Sequence, residues 1–196
     1  MQKPTITTNL AALASLYEEM QEAYEQTARL LDFSCHGCPD NCCDSYFLHH
    51  TYIEWAYLRV GLFKLTQKKR DKYLARAADY DKQCELDLAA GRRPEIMCPV
   101  NDKGRCGLYD HRLLICRLHG VPGGMTMPNG QQRSFPGCFR CQEITADRRN
   151  VTAMDRTLFF KKMLQLERKF TGPRPQAPPK VKMTLARMLL TPPPNF

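Results

Sequence analysis

Apolar residues recur at spacings of three and four in four stretches of the chain, which is the period of an amphipathic helix. Each stretch predicts a helix, and the four are 8–31, 52–65, 68–90 and 146–170. A capping box opens the second helix, because Thr51 precedes it and Glu54 follows three residues later. Gly91 ends the third helix. These four helices are the predicted core.

The segment 92–143 has no sustained period and is rich in glycine and proline. A stretch this long without secondary structure needs something else to organise it inside a compact domain. A metal site would do so, because ligand bonds replace a missing apolar core. We therefore predict an all-α fold, with about four main helices and a long Cys/Gly/Pro-rich loop region organised around a metal site.

The predicted organisation is one metal-binding helical domain followed by a tail. The domain covers 1–170, with its cysteine-cluster core at about 33–143, and the tail covers 171–196. Seven of the fourteen prolines and four basic residues lie in the tail, which has no acidic residue. This composition predicts an extended arm, and the amphipathic piece 183–190 predicts a small docking patch on it.

Composition narrows the class of protein. The chain has 196 residues, of which 43% are hydrophobic and ten are cysteine. No apolar run approaches the roughly 18–20 residues of a membrane helix, and the first residues do not resemble a secretory signal. This indicates a cytoplasmic protein, in which cysteines serve as metal ligands or redox groups rather than in disulfides. Because ten is an even number, a disulfide framework is the alternative.

Nine of the ten cysteines lie in loop-like sequence and fall into three groups. The groups are Cys35, Cys38, Cys42 and Cys43; then Cys98, Cys106 and Cys116; then Cys138 and Cys141. A C-x-x-C spacing, which occurs in the first and third groups, lets two thiolates converge on one ion. These nine residues are the predicted metal ligands. The tenth, Cys84, lies on an apolar helical face and predicts a core thiol.

Tetrathiolate coordination suits both iron–sulfur clusters and zinc. Adjacent residues such as Cys42 and Cys43 point to opposite sides of an extended chain, so both rarely reach one tetrahedral ion. Several closely spaced cysteines in one loop favour an iron–sulfur cluster over zinc, which is the alternative. Nine thiols fit two four-cysteine sites with one to spare, or one site and a redox pair.

The formal charge is +9, from 29 Lys+Arg and 20 Asp+Glu. Cations beside thiols lower their pKa and offset the charge of an anionic cluster. The candidates for this supporting role around the ligands are Arg105, Tyr109, Arg112 and Arg117. No nucleic-acid-reading motif is visible, but the basic tail leaves a contact with an acidic protein or a nucleic acid open.

The ordered cysteines resemble those of the YkgJ-type cysteine-cluster family, a zinc- or iron-chelating domain with a C-x2-C-x2-C-C pattern. The resemblance covers roughly 33–120. It is carried by Cys35-x2-Cys38-x3-Cys42-Cys43, Cys98-Pro99, Gly104-Arg105-Cys106-Gly107-Leu108-Tyr109, His111-Arg112 and Cys116-Arg117. Here the second gap is one residue longer, Leu113 follows Arg112 where the family often has proline, and Cys138 and Cys141 lie outside the shared region. The resemblance implies a small, mostly helical metal-binding domain, commonly described as containing an iron–sulfur cluster.

Three functions follow from these patterns. The first is a cytoplasmic iron–sulfur or iron-binding protein in redox chemistry or metal handling. The second is a structural-zinc module that uses the tail as an interaction arm. The third, by analogy with the similar cysteine set of flagellin lysine methylases, is cluster-dependent methyl transfer to protein lysine. The sequence has no Ser-His-Asp set, no Gly-rich phosphate loop and no carboxylate pair at catalytic spacing, which argues against an enzyme.

Overall fold

The structure is a computed structural model that describes residues 6–36, 42–173 and 178–194. In this part of the chain there are seven α-helices and five short strands. The helices are α1 (Ile6–Leu30), α2 (Tyr52–Lys64), α3 (Gln67–Ala89), α4 (Leu114–Leu118), α5 (Phe139–Thr145), α6 (Thr157–Thr171) and α7 (Leu185–Leu190). The strands are β1 (Asn101–Asp102), β2 (Arg105–Cys106), β3 (Gly123–Thr126), β4 (Gln132–Phe135) and β5 (Met154–Asp155).

The predicted all-α class is wrong. Of the residues that the structure describes, 55% are helical, but these residues also form two small sheets. One is the antiparallel pair β1–β2, and the other has the strand order β4-β3-β5, with β4 antiparallel and β5 parallel to β3. Strands of two to four residues are too short to show an alternating pattern in the sequence, so periodicity could not reveal them.

The predicted helix at 146–170 begins later than expected. Residues Met154–Asp155 form β5 instead, paired with Gly123 and Gly124 of β3. The Asp155 carboxylate accepts the backbone N–H of Thr157 at 2.8 Å, so that α6 begins there. The first eleven residues of the predicted helix are therefore not helical: residues 146–153 form a turn and loop, and β5 and Arg156 lead into α6.

The chain folds as two compact units, each built from two separate segments. Unit 1 comprises Met1–Asp40 and Leu114–Lys169, and unit 2 comprises Asn41–Leu113 and Phe170–Phe196. In unit 1, α1 packs against α4, and the three-stranded sheet lies in the same unit. The buried side chains of unit 1 include Leu13, Leu16, Tyr17, Met20, Leu118, Val121, Met154 and Met163.

In unit 2, α7 packs against both α2 and α3. The buried apolar side chains there include Ile53, Leu58, Leu62, Tyr73, Ala77, Tyr80, Met188 and Leu189. The Trp55 indole donates to the carbonyl oxygens of Met188 and Thr191 at 2.9 and 3.0 Å. Arg187 forms ion pairs with Asp81 and Glu85 at 2.7 and 2.6 Å. The piece of the tail predicted to dock is therefore held on its own chain.

None of the helices in the described ranges is both long enough and apolar enough to span a membrane.

Candidate metal centre

The structure divides the predicted ligands between the two units. Unit 1 contains Cys35, Cys116, Cys138 and Cys141, and unit 2 contains Cys43, Cys98 and Cys106 with the predicted core thiol Cys84. Cys38 and the side chain of Cys42 lie outside what the structure describes. Among the eight cysteines with described side chains, none forms a disulfide. The grouping in space thus differs from the three groups along the sequence.

In unit 1, the C-x-x-C pair is placed by the start of α5. Cys138 directly precedes this helix and Cys141 lies in its first turn, fully buried. Burial raises the pKa of the Cys141 thiol to about 11, the Cys138 thiol adds to the rise, Arg148 opposes it, and Cys35 also contributes to the rise. Cys35, from the segment after α1, thus lies within electrostatic range of this pair. The raised pKa of Cys141 disfavours its thiolate, a situation that a bound cation would reverse.

The loop at Gly120 contacts both the backbone of Cys138 and the side chain of Tyr24, which lies near Cys35. The backbone N–H of Cys138 donates to the Gly120 carbonyl oxygen at 2.9 Å. The Tyr24 hydroxyl lies 3.8 Å from the Cys35 Sγ, within hydrogen-bonding distance for sulfur. Gly120 has φ +132°, and a Cβ there would lie 2.1 Å from the Tyr24 hydroxyl oxygen. Glycine at this position therefore lets Tyr24 approach the loop that carries Cys138.

Arg156 holds the same loop through main-chain contacts. Its Nη2 donates to the carbonyl oxygens of Leu118 and Val121 at 2.7 and 3.0 Å, and its Cζ lies 4.8 Å from the Phe135 ring centroid. Burial lowers the pKa of Arg156 to about 10, and Tyr24 opposes this shift. Its Nε is buried without a hydrogen-bond partner in the described part of the chain. A buried cation suits an anionic thiolate centre in the same unit.

Sequence analysis missed Arg156 because the residue falls inside the stretch predicted as a helix. In that predicted helix, Arg156 is simply one of the polar residues expected on the solvent-facing side. Its role depends on β5, which the periodicity did not show. Arg117, which was predicted as a supporting residue, lies in α4 with its Cζ 4.1 Å from the ring centroid of Tyr17. Cys116, beside it in α4, is half-buried.

In unit 2, main-chain hydrogen bonds bring the remaining cysteines near one another. The Cys98 N–H donates to the Cys43 carbonyl oxygen at 2.9 Å, and the Cys98 carbonyl oxygen accepts from Asn101 N–H at 3.0 Å. Asn101 lies opposite Cys106 in the β1–β2 pair. Burial and the thiols of Cys84 and Cys98 raise the pKa of the Tyr80 hydroxyl. These residues form a second cysteine-containing region, within unit 2.

Asp102 anchors the β1–β2 hairpin that carries Cys106. Its carboxylate accepts hydrogen bonds from Lys72 Nζ, the Tyr73 hydroxyl and Arg76 Nη1 at 2.7, 2.7 and 2.9 Å. Hydrogen bonds from Lys72 and Tyr73 lower the pKa of Asp102, burial opposes them, and Arg76 adds to the lowering. Burial, followed by the hydrogen bond to Asp102, raises the pKa of Tyr73. The hairpin is thereby fixed to α3.

The other predicted supporting residues lie near the hairpin. Arg105 is an exposed residue of β2. The Arg112 guanidinium carbon lies 3.7 Å from the ring centroid of Tyr109, which is exposed, and the Arg112 Nε donates to the Tyr109 carbonyl oxygen at 3.3 Å. Arg112 and Tyr109 thus contact each other at the surface.

Across the three described ranges, no three histidine, cysteine, aspartate or glutamate side chains are grouped in a way that could hold a metal ion. The donor chemistry of unit 1 fits a thiophilic metal, because the unit contains four cysteines without a disulfide, Cys35, Cys116, Cys138 and Cys141. Comparisons with protein-family models, curated proteins and solved structures gave no match. The resemblance to the YkgJ-type family therefore stays a prediction.

Proposed function

We propose that this protein binds metal through cysteine thiolates. The observation that supports the proposal is that Tyr24 lies 3.8 Å from the Cys35 Sγ and packs against Gly120, whose carbonyl oxygen accepts the Cys138 N–H, so distant parts of the chain place thiols around one loop of unit 1. Binding would draw the thiols closer than they lie here, so that metal uptake and local folding are coupled. Arg148 lowers the pKa of the Cys141 thiol and so favours its ionised form, and Arg156 is a further buried cation of the same unit.

The favoured occupant is an iron–sulfur cluster, and the proposed role is redox chemistry or metal handling in the cytoplasm. Thiolates are the usual ligands of such clusters, and nearby cations tune their reduction potential. Bound in unit 1, a cluster would supply one-electron chemistry. The chain's own contribution would be to hold it with Cys35, Cys138 and Cys141 and to keep the Gly120 loop in place through Arg156.

A structural zinc site is the second candidate, and one observation favours it. The densely spaced cysteines of the first group are divided between the two compact units, because Cys35 belongs to unit 1 and Cys43 to unit 2. Cys35 instead interacts with a distant C-x-x-C pair. Cysteines gathered in this way from two distant segments are typical of zinc sites.

Anaerobic purification with elemental analysis tests the proposal. We expect bound metal in the purified protein, with absorption at about 400 nm for an iron–sulfur cluster and a colourless zinc protein otherwise. Cys141→Ala should remove metal from unit 1. Cys84→Ala is the matched control, since it truncates another buried cysteine but should leave the metal content of the protein unchanged.

A wild-type protein that contains neither iron nor zinc after anaerobic purification, and takes up neither on reconstitution, contradicts the proposal. Equal metal loss from Cys141→Ala and Cys84→Ala would also count against it, because a general packing defect would then explain the loss. Circular dichroism of both variants checks that their helices are retained.

A further inference from the structure

A basic surface with an exposed aromatic ring lies where α2 ends and α3 begins. Residues 59–70 contain five basic residues and no acidic one. We define the α2–α3 basic surface by Arg59, Phe63, Lys64, Lys68, Lys69 and Arg70. All six residues belong to unit 2. Neither the predicted ligands nor the tail is part of this surface.

Phe63 is the centre of this surface. Its side chain is 59% exposed, although it is a large apolar ring. The guanidinium carbons of Arg59 and Arg70 lie 4.9 and 5.2 Å from its ring centroid. Arg59 comes from α2 and Arg70 from α3, so cations from two helices flank one exposed ring. Such cation–π contacts orient the ring while leaving much of its surface open.

The polar partners of this surface are neutral groups. Arg59 donates to the Leu189 carbonyl oxygen of α7, Arg70 donates to the Gln67 side chain, and Lys64 lies 3.5 Å from the His111 Nε2. In the described part of the chain, none of the five cations forms an ion pair with a carboxylate, whereas Lys72 and Arg76 in the following turns pair with Asp102. The first turn of α3 contains no acidic residue. Positive side chains there oppose the helix dipole and cost some helix stability. An anionic partner would offset that cost.

We infer that the α2–α3 basic surface binds single-stranded nucleic acid. Phosphates would contact the lysines and arginines, and an unstacked base would lie on the exposed Phe63 ring. Proteins commonly bind single-stranded nucleic acid without sequence preference by combining positively charged surfaces, which contact the phosphates, with aromatic side chains, on which the bases stack. An acidic protein would also match the charge but would make no specific use of an exposed flat ring. This inference does not depend on metal binding.

The contribution of the charges on the α2–α3 basic surface is tested with the full-length protein, by measuring the fluorescence anisotropy of a labelled 20-nucleotide oligo-uridine. The double charge reversal Lys68→Glu with Arg70→Glu should weaken binding at least tenfold. Loss of two phosphate contacts should also reduce the slope of log K against log salt by about 1.4. The matched control reverses two exposed lysines of the tail, Lys180→Glu with Lys182→Glu, for the same change in net charge.

The ring is tested by Phe63→Ala, which should weaken oligo-uridine binding about tenfold, since base–aromatic stacking is worth about 1–3 kcal/mol per base. Phe139→Ala, which truncates a 65% exposed phenylalanine of unit 1, is the control and should have little effect. Phe63→Trp should retain binding, and its added fluorescence should be quenched by oligo-uridine.

Three results would overturn the inference. The first is wild-type protein that does not bind oligo-uridine even at low salt. The second is equal weakening by the α2–α3 and tail charge reversals, which would indicate attraction to the net charge alone. The third is that Phe63→Ala weakens the binding of oligo-uridine, heparin and polyglutamate by the same factor. Heparin and polyglutamate have no bases, so an equal effect would show that the ring does not recognise a base. Thermal unfolding of each variant checks that the fold is intact.

Discussion

At the scale of single residues, Asp102 shows how one side chain positions a predicted ligand. Three donors from α3 converge on its carboxylate, and Cys106 lies in the strand paired with its own. Gly107 completes the arrangement, because a Cβ there would lie 1.7 Å from the Tyr73 hydroxyl oxygen. The sequence predicted Cys106 as one of nine cysteines in loop-like stretches, but Asp102 and Tyr73 carry no such signal. Their role follows from a hairpin that is visible only in the fold.

Acidification should expose the contribution of Asp102 to stability. Its folded pKa lies below the ordinary value of 3.8, so the contribution is present above about pH 4 and is lost as pH falls toward the folded pKa. Asp102→Asn should therefore lower the free energy of unfolding markedly at pH 6 and by less at pH 3. Urea unfolding followed by the fluorescence of Trp55, which lies in the same unit, measures both values.

Asp79→Asn is the control for this measurement, because Asp79 is an exposed aspartate on the same helix. Its substitution should change the free energy of unfolding by less than about 0.5 kcal/mol at pH 6. An Asp102→Asn variant as stable as the wild type at pH 6 would show that the three hydrogen bonds contribute nothing net to folding.

At the scale of elements, periodicity predicted the long helices well and the short elements poorly. The predicted helices 8–31, 52–65 and 68–90 correspond to α1, α2 and α3 within two residues at each end. Each of these helices has several turns on which a buried face can repeat. The segment 92–143, expected to lack regular structure, contains four strands and two short helices. Strands of two to four residues and helices of five to seven residues have too few positions for a periodic pattern to show.

Helix α7 offers the clearest test of packing at this scale. Leu189 is fully buried, whereas its neighbour Leu190 is 36% exposed. Leu189→Ala should lower the free energy of unfolding of unit 2 by about 2–5 kcal/mol, because it leaves a cavity where α7 meets α2 and α3. Urea unfolding followed by Trp55 fluorescence reports on this region, since the Trp55 indole bonds to carbonyl oxygens at the end of α7.

Leu190→Ala is the matched control, with the same chemical change one residue away. It should cost less than about 1 kcal/mol, because part of its side chain already contacts water. Equal losses for the two variants would contradict the packing of α7 described here. If the substitutions acted by lowering the helicity of α7, both variants would lose the same free energy of unfolding. A larger loss for Leu189→Ala than for Leu190→Ala therefore excludes this explanation.

At the scale of the whole molecule, the order of cysteines along the chain does not match their distribution in space. The first and third groups contribute to unit 1, while the first and second contribute to unit 2. C-x-x-C spacing correctly indicated that Cys138 and Cys141 lie on one turn. It could not indicate that Cys35 belongs to the same unit, because that depends on how α1 and the segment after residue 114 fold together. Whether nine thiols form two sites, or one site and a redox pair, stays a prediction.

Metal stoichiometry tests that division. If each unit holds its own metal centre, anaerobically purified wild-type protein should contain two centres per chain. Cys141→Ala and Cys106→Ala should each retain one centre, because they remove thiols from different units, and the double variant should retain none. Elemental analysis against protein concentration from amino-acid analysis gives these numbers directly. A single centre per chain, lost completely in either single variant, would contradict independent sites while leaving thiolate metal binding itself intact.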